Sequence, residues 1–578
     1  MVVSSRDNRF PPVRGPAGGV SVAPAAPDDC EGVLRVGKFS SGVRAGPARG
    51  ARPTRSCGAN RDDSPTETVE PSQLSLPLEE FHALARAPGI ARPRRVFSNR
   101  DLRMSNIAWV GFDMDYTLAI YNQQQMDELS IRATIEKLVA RRYPEFLRTM
   151  PYSIAFPVRG LLIDKRFGHI LKMNRYKFVT KGYHGFRELG AEELRELYHS
   201  KKIRPATPRY HWIDTLYALS EAAIYAALVE AMEKRGLAVD YGRVFQDIRE
   251  SIDEAHRDGT ILETVAADFP RFVNKDPELA PTLHKLRSAG KKLFLLTNSR
   301  WSYTEKMMSH LLDGQMIEYP HWRNYFDVVV VAAMKPAFFQ ERRPLMQRNG
   351  DKLEPATFPL ERATIYEGGN LHELERALGA AGDEILYVGD HIYGDILRSK
   401  KESAWRTAMI IQELEGEVLA HESCREDFAR QAELGEARDR LEDELRFYQT
   451  RFKELSRRGD HVAKANGAPQ HHGHASPHAN GYALESDGER SRIKRGIDRV
   501  RARLRHVEGE LRLIERRIDQ RFHPFWGSLL KEENEESSFG AQVEEYACLY
   551  SARVSNFLLY SPQQYFRSPR DEMAHEIG

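Results

Sequence analysis

The chain has 578 residues and a formal net charge of +2, with 29% charged and 41% hydrophobic residues. This composition is typical of a soluble globular protein of two domains, or of one large domain with insertions. The near-neutral charge gives no overall electrostatic case for nucleic-acid binding, and no apolar run approaches the roughly 18 residues of a membrane span.

A cytoplasmic location is expected. The first ten residues lack the apolar stretch of a secretory signal. The four cysteines are scattered without metal-ligand spacing, which fits a reducing compartment better than a disulfide framework. Residues 1–75 are rich in Pro, Gly, Ala, Ser and Arg without periodic apolar positions, so they are predicted to be a disordered tail.

A short apolar run at residues 107–112 is typical of a buried parallel strand, and Asp113 and Asp115 follow it. Ligands of open α/β sheets lie at the carboxyl ends of strands, so both carboxylates would project into a site. Two close carboxylates repel unless a cation or a proton separates them, and Mg²⁺ is the usual cation. An ordinary D-x-D surface turn is the alternative, since so short a motif often occurs by chance.

Three later apolar runs end in groups that suit the same site. The run ending at residue 296 leads to Thr297 and Asn298, whose side chains can donate hydrogen bonds to phosphoryl oxygens. The next leads to Lys335, a cation that can neutralise both a phosphate and a nucleophile. The last leads to Asp390 and Asp395, which would complete a magnesium site. Four strands that end in the required groups are far more specific than one.

About 170 residues separate the first two motifs, too many for a loop. Residues 126–284 are therefore predicted to form an inserted cap of strands and helices that excludes water and contacts the leaving group. Within it, residues 244–256 have apolar side chains at every fourth position, which predicts an amphipathic helix. Arg249, Asp253 and His256 lie roughly on one face of this helix, and by themselves fit a salt-bridged surface stripe.

Residues 412–521 are predicted to form a helical hairpin. Apolar residues recur at alternating spacings of four and three from Ile493 to Ile518, a heptad seam that would pair the helices with each other or with another subunit. Between them, residues 459–488 are predicted to be a flexible polar linker. Its five histidines offer metal capture as an alternative, although no folded framework would fix their geometry.

The motif strings, read together, resemble one family. GFDMDYTLA, LLTNS, the K-P-x-F-F of residues 335–339 and GDHIYGDILRSKK follow the motif order of the haloacid dehalogenase (HAD)-like phosphohydrolases. They are most similar to the cytosolic purine 5′-nucleotidases that prefer IMP and GMP, and the similarity extends over residues 95–567 except an insert near 460–490. This resemblance implies an α/β fold: a HAD-like Rossmannoid parallel sheet, an inserted α+β cap and a C-terminal helical, coiled-coil-like extension.

The resemblance also implies a domain order. The catalytic core would comprise residues 95–125 and 285–411, on either side of the cap. Residues 522–578 would pack on this core and support a homo-oligomer, a dimer or a tetramer.

The activity implied by the resemblance is magnesium-dependent hydrolysis of purine nucleoside 5′-monophosphates through an aspartyl phosphate. Asp113 would be the nucleophile, and Asp115 the general acid and then the general base. Thr297 and Asn298 would hold phosphate oxygens while Lys335 offsets the charge. Because the intermediate is covalent, another nucleoside could replace water, so phosphotransferase activity is a secondary prediction.

Mg²⁺ is the implied cofactor. Its ligands would be Asp113, the backbone carbonyl of Asp115, and Asp390, with Asp395 supporting the site from nearby.

Neither a nucleic acid nor a membrane is expected as a partner.

In the family, an Arg-x-x-x-Asp-x-x-His helix of the cap contributes to the nucleoside pocket, and Arg249, Asp253 and His256 match it. Arg257 stands where the family has an aromatic residue, and Leu262 where it has a lysine. Losing a donor from a polar pocket changes selectivity strongly, so the preferred base stays open.

Some family members bind an activating nucleotide at a separate site. Arg204, Tyr393 and Lys401 match parts of that site, whereas Asp214 replaces an asparagine and would repel a phosphate. Ordinary surface charges are the alternative interpretation of Arg204 and Lys401. For the whole chain, two other functions remain open: a phosphatase of the same fold acting on another small phosphate ester, and a scaffold protein that uses its heptad helices around an inactive core.

Overall fold

The structure is a computed structural model and describes residues 89–569, apart from 200–201, 398, 400–401, 467–476 and 533. The chain divides into two units, Met1–Leu84 and Ala85–Gly578, and every described residue belongs to the second. The predicted disordered tail over residues 1–75 lies outside the described residues.

The secondary structure alternates strands and helices along the described chain. The strands are β1 (Phe97–Ser98), β2 (Leu102–Arg103), β3 (Trp109–Phe112), β4 (Ile120–Tyr121), β5 (Leu161–Asp164), β6 (His169–Met173), β7 (Val179–His184), β8 (Arg187–Glu188), β9 (Tyr210–Ile213), β10 (Val273–Asn274), β11 (Lys292–Leu296), β12 (Val328–Val331), β13 (Leu345–Asn349), β14 (Lys352–Pro355), β15 (Ile365–Gly368), β16 (Ile385–Gly389), β17 (Arg406–Ile410), β18 (Lys531–Glu532), β19 (Glu535–Glu536), β20 (Leu549–Ser551) and β21 (Tyr565–Phe566). The α-helices are α1 (Gln123–Ala140), α2 (Ala191–Tyr198), α3 (Leu219–Glu233), α4 (Tyr241–Arg257), α5 (Thr260–Ala267), α6 (Phe269–Phe272), α7 (Leu279–Ser288), α8 (Trp301–Leu312), α9 (Ala337–Gln340), α10 (Leu371–Leu378), α11 (Leu414–Ser423), α12 (Arg425–Asn466), α13 (Pro477–Phe522) and α14 (Ser538–Tyr546).

Ten strands form the central sheet, in the order β1-β20-β17-β16-β3-β11-β12-β15-β13-β14. Neighbours from β20 to β15 pair in parallel. The edges are antiparallel, with β1 on one side and the β13–β14 hairpin on the other. Parallel strands connected by helices bury both faces of their sheet, which explains the almost uninterrupted apolar runs in the sequence. The predicted α/β class with a parallel sheet is confirmed.

The central strand β3 divides the core between two faces. Val110 and Phe112 belong to one buried cluster and Trp109 to another, as the period-two alternation of a strand requires. Gly111 lies on the Trp109 face, where the ring of Phe294 crosses it. A Cβ at Gly111 would come within 2.0 Å of that ring. Glycine at this position lets the aromatic ring lie directly on the strand.

The cap is inserted between β3 and β11. It holds a second, antiparallel sheet in the order β8-β7-β6-β5-β9. Helices α3 and α4 pack in the same buried cluster as part of this sheet, and α3 is buried on nearly every side. The amphipathic helix predicted over residues 244–256 is therefore α4, with its apolar face turned to the core.

The two long helices α12 and α13 pack side by side. Leu434, early in α12, clusters with Ile514 and Ile518, late in α13, so the helices run antiparallel. The flexible linker predicted over residues 459–488 is wrong at both of its ends, because α12 continues to Asn466 and α13 begins at Pro477. Helix propagation adds a backbone hydrogen bond for each residue that it orders, so each helix extends beyond the heptad seam. The residues between them, 467–476, lie outside the described part of the chain.

The C-terminal segment returns to the core. Its strand β20 enters the central sheet between β17 and β1, and β21 pairs with β2. The indole of Trp526 is buried and donates a hydrogen bond to the carbonyl of Phe156, 2.7 Å away. None of the helices in the described chain combines the length and the apolar character needed to cross a membrane.

Replacing Gly111 with Ala should destabilise the fold by about 1–3 kcal/mol, because the added methyl overlaps the Phe294 ring in a closed core. Urea denaturation measures this change. Gly416→Ala is the matched control, since nothing lies within 4 Å of a Cβ at that position on α11 and the change should raise stability slightly. Equal stability of the Gly111 variant and wild type would contradict the packing described for β3.

Candidate active site

The register of three adjacent strands brings the motif residues to one edge of the sheet. Phe112 of β3 is level with Leu295 of β11 and with Val388 of β16. The three strands therefore end within a residue or two of one another along the same edge of the sheet. Asp113 and Asp390 emerge from β3 and β16 side by side, as predicted from the apolar runs that precede them.

A cluster of buried carboxylates surrounds one lysine. Asp113, Asp390 and Asp395 each offer a carboxylate oxygen, and these oxygens lie within 4.8 Å of one another. The Lys335 ammonium is 2.9 Å from Asp113 Oδ1 and 2.6 Å from Asp395 Oδ1. It also donates to the hydroxyl of Tyr387 at 2.8 Å. Among the side chains that the structure describes, three acids of this cluster thus share the single ammonium of Lys335.

The pKa values of two of these carboxyl groups are raised. Burial raises the pKa of Asp113 to about 8, against the opposing charge of Lys335. Burial and the neighbouring carboxylates of Asp395 and Asp113 raise the pKa of Asp390 well above its usual range. A divalent cation would relieve both the desolvation and the repulsion, and carboxylate oxygens are the ligands that Mg²⁺ prefers. The residues present therefore fit a magnesium ion.

Asp113 has one engaged oxygen and one open oxygen. Its Oδ1 accepts the contact from Lys335 and a hydrogen bond from the backbone N–H of Met114, at 2.8 Å. No described residue donates a hydrogen bond to Oδ2. A carboxylate held by one oxygen presents the other in a defined direction, which a nucleophile requires.

Asp115 lies on the other side of the turn, with both oxygens engaged. Ser299 Oγ donates to one and the Tyr121 hydroxyl to the other, each at 2.6 Å. Burial raises the pKa of Asp115, although these two hydrogen bonds oppose the shift. The next residue, Tyr116, has a left-handed backbone (φ 57°), which turns the chain sharply away from the sheet. Both carboxylate oxygens of Asp115 are therefore engaged, whereas Asp113 keeps one oxygen without a donor among the described residues.

The two residues predicted to hold phosphate differ in what they contact. Thr297 is completely buried, and its hydroxyl accepts a hydrogen bond from the Ser299 N–H at 3.1 Å. The Asn298 amide instead bonds Lys335 twice: its Nδ2 donates to the Lys335 carbonyl at 2.9 Å, and its Oδ1 accepts from the Lys335 N–H at 2.6 Å. The Asn298 side chain thus positions the lysine loop, a role that the sequence did not predict.

The three residues predicted for the nucleoside pocket line one cleft of the cap, of about 650 Å³. They are Arg249, Asp253 and His256. Arg249 forms an ion pair at 2.6 Å with Glu221, a buried acid of α3, and lies 3.7 Å from Asp253. Burial raises the pKa of Glu221 to about 7, against the opposing charge of Arg249. A buried carboxylate therefore holds the guanidinium at the wall of the cleft.

An aromatic side chain connects this cleft with the strand ends. The ring of Tyr217 contacts His256 edge-on, with ring centres 5.6 Å apart, and contacts Tyr116 at 4.7 Å. Since Tyr116 directly follows Asp115, the cleft adjoins the proposed acid. Arg257 is exposed at the wall of the cleft, whereas Leu262 is half-buried against the core.

Several contacting residues were missed by sequence reasoning. Ser299 stands inside the quoted LLTNS string, so its hydroxyl was available as a signal. Glu221 interrupts the apolar run of α3, and an acid in a buried helix usually has a partner. Tyr121 and Tyr387 gave no such signal.

The predicted effector residues are not brought together by any described contact. Arg204 is exposed, and Tyr393 accepts a hydrogen bond from Gln542 at 3.3 Å. Burial raises the pKa of Asp214. Lys401 lies outside the described residues, so regulation by an effector stays a prediction.

Comparison with known proteins agrees with these motifs. The profile described as "5′ nucleotidase family" matches residues 96–578. A 5′-nucleotidase domain-containing protein of Dictyostelium discoideum is 31% identical over 334 residues, 56% of either chain. The human 5′-nucleotidase domain-containing protein 2 is 30% identical over 343 residues, 57% of this chain and 65% of the relative. The chain thus spans less than two thirds of the length of these relatives.

Among solved structures, a haloacid dehalogenase-like family hydrolase of Xanthomonas campestris is similar at 11% identity and a TM-score of 0.21. The match covers 53% of this chain and 82% of that one.

Magnesium should stabilise the folded chain through Asp390. Wild type should gain about 2.7 kcal/mol when Mg²⁺ exceeds its dissociation constant a hundredfold, and Asp390→Asn should gain far less in a thermal melt. Without metal, Asp390→Asn should melt higher than wild type at neutral pH. This gain should shrink towards about pH 4, because a carboxyl whose pKa is raised by folding destabilises the folded state only above its unfolded pKa.

Glu318→Gln is the control for this measurement, since Glu318 is exposed and lies outside the cluster. It should respond to Mg²⁺ as wild type does. An equal magnesium response of the Asp390 variant and wild type would rule out this carboxylate as a ligand.

Proposed function

Since the chain belongs to the 5′ nucleotidase family, we propose that it is a magnesium-dependent phosphohydrolase that releases phosphate from nucleoside 5′-monophosphates, purine nucleotides foremost. One observation carries the proposal. The open oxygen of Asp113 shares a buried site with Lys335, with two further carboxylates and with the proton-exchanging Asp115. Nucleophile, charge compensation and general acid are the parts that stepwise phosphoryl transfer requires.

The first step transfers the phosphoryl group to the protein. Asp113 Oδ2 attacks phosphorus, the bond between phosphorus and the 5′-oxygen breaks, and Asp115 gives its proton to the departing oxygen. Burial raises the pKa of Asp115 above its usual range, which favours the protonated acid that this step requires. The nucleoside then leaves, and Asp113 carries the phosphoryl group as an aspartyl phosphate.

The second step restores the enzyme. Asp115, now ionised, takes a proton from water, and the resulting oxygen attacks phosphorus so that the bond to Asp113 breaks. Ser299 and Tyr121 hold the Asp115 carboxylate in one orientation through both steps. A nucleoside hydroxyl in place of water would give phosphotransferase activity.

Charge compensation comes from two sources. Lys335, held by Asn298 and Tyr387, stays beside the attacking carboxylate and the phosphate oxygens. When bound by Asp113, Asp390 and the Asp115 carbonyl, with Asp395 in support, magnesium supplies Lewis-acid stabilisation of the phosphoryl oxygens. The proposal assigns to the Thr297 hydroxyl, which accepts from the Ser299 N–H, the donation of its own proton to a phosphate oxygen.

The cap cleft is the proposed site of the base. Arg249 and Asp253 present a donor and an acceptor side by side, with Arg249 Nη2 3.7 Å from Asp253 Oδ1. A carbonyl beside an N–H, as in hypoxanthine and guanine, matches such a pair. The edge of Tyr217 and the ring of His256 would flank the base.

Asp113→Asn should lower turnover of IMP by on the order of 10³-fold or more, because the amide cannot form the acyl phosphate. It should still bind the nucleotide. Turnover is measured as phosphate release at fixed Mg²⁺, and binding is measured by calorimetry with IMP. Undiminished phosphate release by this variant would contradict the proposal, and a chain that only serves as a scaffold would release none even as wild type.

A substrate panel then identifies which phosphate ester the protein prefers. IMP, GMP, AMP, pyrimidine monophosphates and sugar phosphates are compared at one Mg²⁺ concentration. The proposal expects the highest kcat/KM with IMP or GMP. A sugar phosphate that surpasses every nucleotide would identify a phosphatase of the same fold with another substrate, consistent with the replacements at Arg257 and Leu262.

Glu221→Leu should raise KM for IMP roughly tenfold, about 1.4 kcal/mol of lost binding, because Arg249 loses the carboxylate that holds it. The kcat for p-nitrophenyl phosphate, which has no base, should not change. Glu221→Gln is the matched variant, since it keeps an acceptor oxygen for Arg249 and should recover most of the affinity. An equal loss with both substrates would assign Glu221 to the stability of the cap instead.

A further inference from the structure

The positive charge of this chain is concentrated on one helix. Between residues 490 and 505, α13 has eight Lys and Arg side chains and a single acid, Asp498. The local excess of positive charge therefore exceeds the net charge of the whole chain, which is +2. Such segregation is a physical reason to look for a polyanionic partner, which the overall charge conceals.

Most of these cations are exposed to solvent. Six of them are exposed and pair with no carboxylate among the described side chains. They are Arg492, Lys494, Arg495, Arg499, Arg501 and Arg505. Arg503, another of the eight cations, lies 3.9 Å from the carboxylate of Glu444. Most of the charge on this stretch is thus not neutralised within the fold.

The cations flank the helix in two rows. Ile493, Ile497 and Val500 are buried against α12 and define the inner side of α13. At 3.6 residues per turn, Arg492, Arg499 and Arg503 fall on one flank. The opposite flank holds Lys494, Arg501 and Arg505, with the same spacing of seven and then four. Two parallel rows of positive charge therefore border the outward side of the helix.

Four residues fall on the outward side between these rows by the same spacing: Ser491, Arg495, Asp498 and Ala502. Three of them are short, and the exposed Arg495 adds a cation between the two rows. From Arg492 to Arg505 the rows extend for about 20 Å along the helix axis. A helix of about 10–12 Å diameter fits the major groove of B-form DNA, about 12 Å wide, where a row of phosphates lies on either side.

We propose that this outward face of α13 docks in the major groove of duplex DNA and binds its two phosphate rows independently of base sequence. This surface lies outside the proposed catalytic site, so the inference goes beyond the phosphohydrolase. The arginines that predominate in both rows suit phosphate because their guanidinium groups form bidentate hydrogen bonds.

Other polyanions fit this face less well. The apolar side chains of this stretch face α12, so no apolar face is left to enter a lipid surface. Residues 490–505 contain no Phe, Trp or Tyr on which single-stranded bases could stack. The major groove of A-form RNA is deep and too narrow for side chains to read.

The test is fluorescence anisotropy of the full chain with a labelled DNA duplex of about two helical turns. Six cations predict that log K falls against log salt with a slope of about −5 between about 50 and 200 mM. Arg499→Glu, Arg501→Glu and Arg505→Glu together should weaken binding at least about tenfold and reduce the slope by roughly three. Their exposed positions leave the helix intact, which circular dichroism checks.

A matched control carries the same change of charge elsewhere. Arg195→Glu, Arg342→Glu and Lys352→Glu replace exposed cations on the cap and on the far edge of the central sheet. This variant should bind DNA as wild type does. An equal loss in the control would overturn the proposal by assigning binding to overall charge.

Three further outcomes would also overturn it. One is the absence of wild-type binding to the duplex at low salt, whatever the variants do. Another is tighter binding to phosphatidylserine vesicles than to DNA, which would make the face a membrane contact. The third is equally tight binding to single-stranded DNA or to duplex RNA, which would exclude docking in the major groove.

Discussion

Lys335 lies between the carboxylates of Asp113 and Asp395, and the arrangement of this end of the sheet depends on that contact. Charges this deeply buried are tolerated only with close partners of opposite sign, so loss of the ammonium would leave several carboxylates uncompensated. The surroundings accordingly hold the lysine from several directions. The Asn298 amide forms hydrogen bonds with both the N–H and the carbonyl of Lys335. The Tyr387 hydroxyl contacts the Lys335 ammonium and donates a hydrogen bond to the carbonyl of Leu296. The carboxyl ends of β11 and β16 are thereby connected through one cation.

A second constraint separates the chemistry from recognition. The Asp113 side of the site is built on strand ends, where the backbone ladders allow little movement. The cap cleft is built on helices, with Arg249 held by Glu221 of a neighbouring helix. Tyr217 lies between the two regions, against Tyr116 on one side and His256 on the other. In the proposed function, a change in the cleft therefore alters which ester binds while the groups at the strand ends keep their geometry.

The helical extension is connected to the same site by one arginine. Arg159 is fully buried in the cap and donates to the backbone carbonyl of Asp390 at 3.1 Å. Its other nitrogens hold Glu413, which precedes α11, at 2.8 and 2.5 Å. The loop that carries a proposed metal ligand thus shares a charged partner with the beginning of the extension. Beyond it, α12 and α13 pack their apolar seam against each other, and α13 exposes its basic side chains to solvent.

The amino-acid sequence alone determined the parallel strands, the amphipathic helix α4 and the order of Asp113, Thr297, Lys335 and Asp390, because each depends on a local pattern of apolar residues ending in a polar group. Only the tertiary structure decided which side chains those groups meet. Ser299 reaches Asp115 across 184 positions of sequence, and β20 enters the sheet from the far end of the chain. Asn298 was expected on phosphate, yet its amide is occupied by the Lys335 backbone, and Glu221 becomes relevant only because α3 packs beside Arg249. Such contacts follow from how elements pack over long separations, where burial and charge compensation select partners that no short motif records.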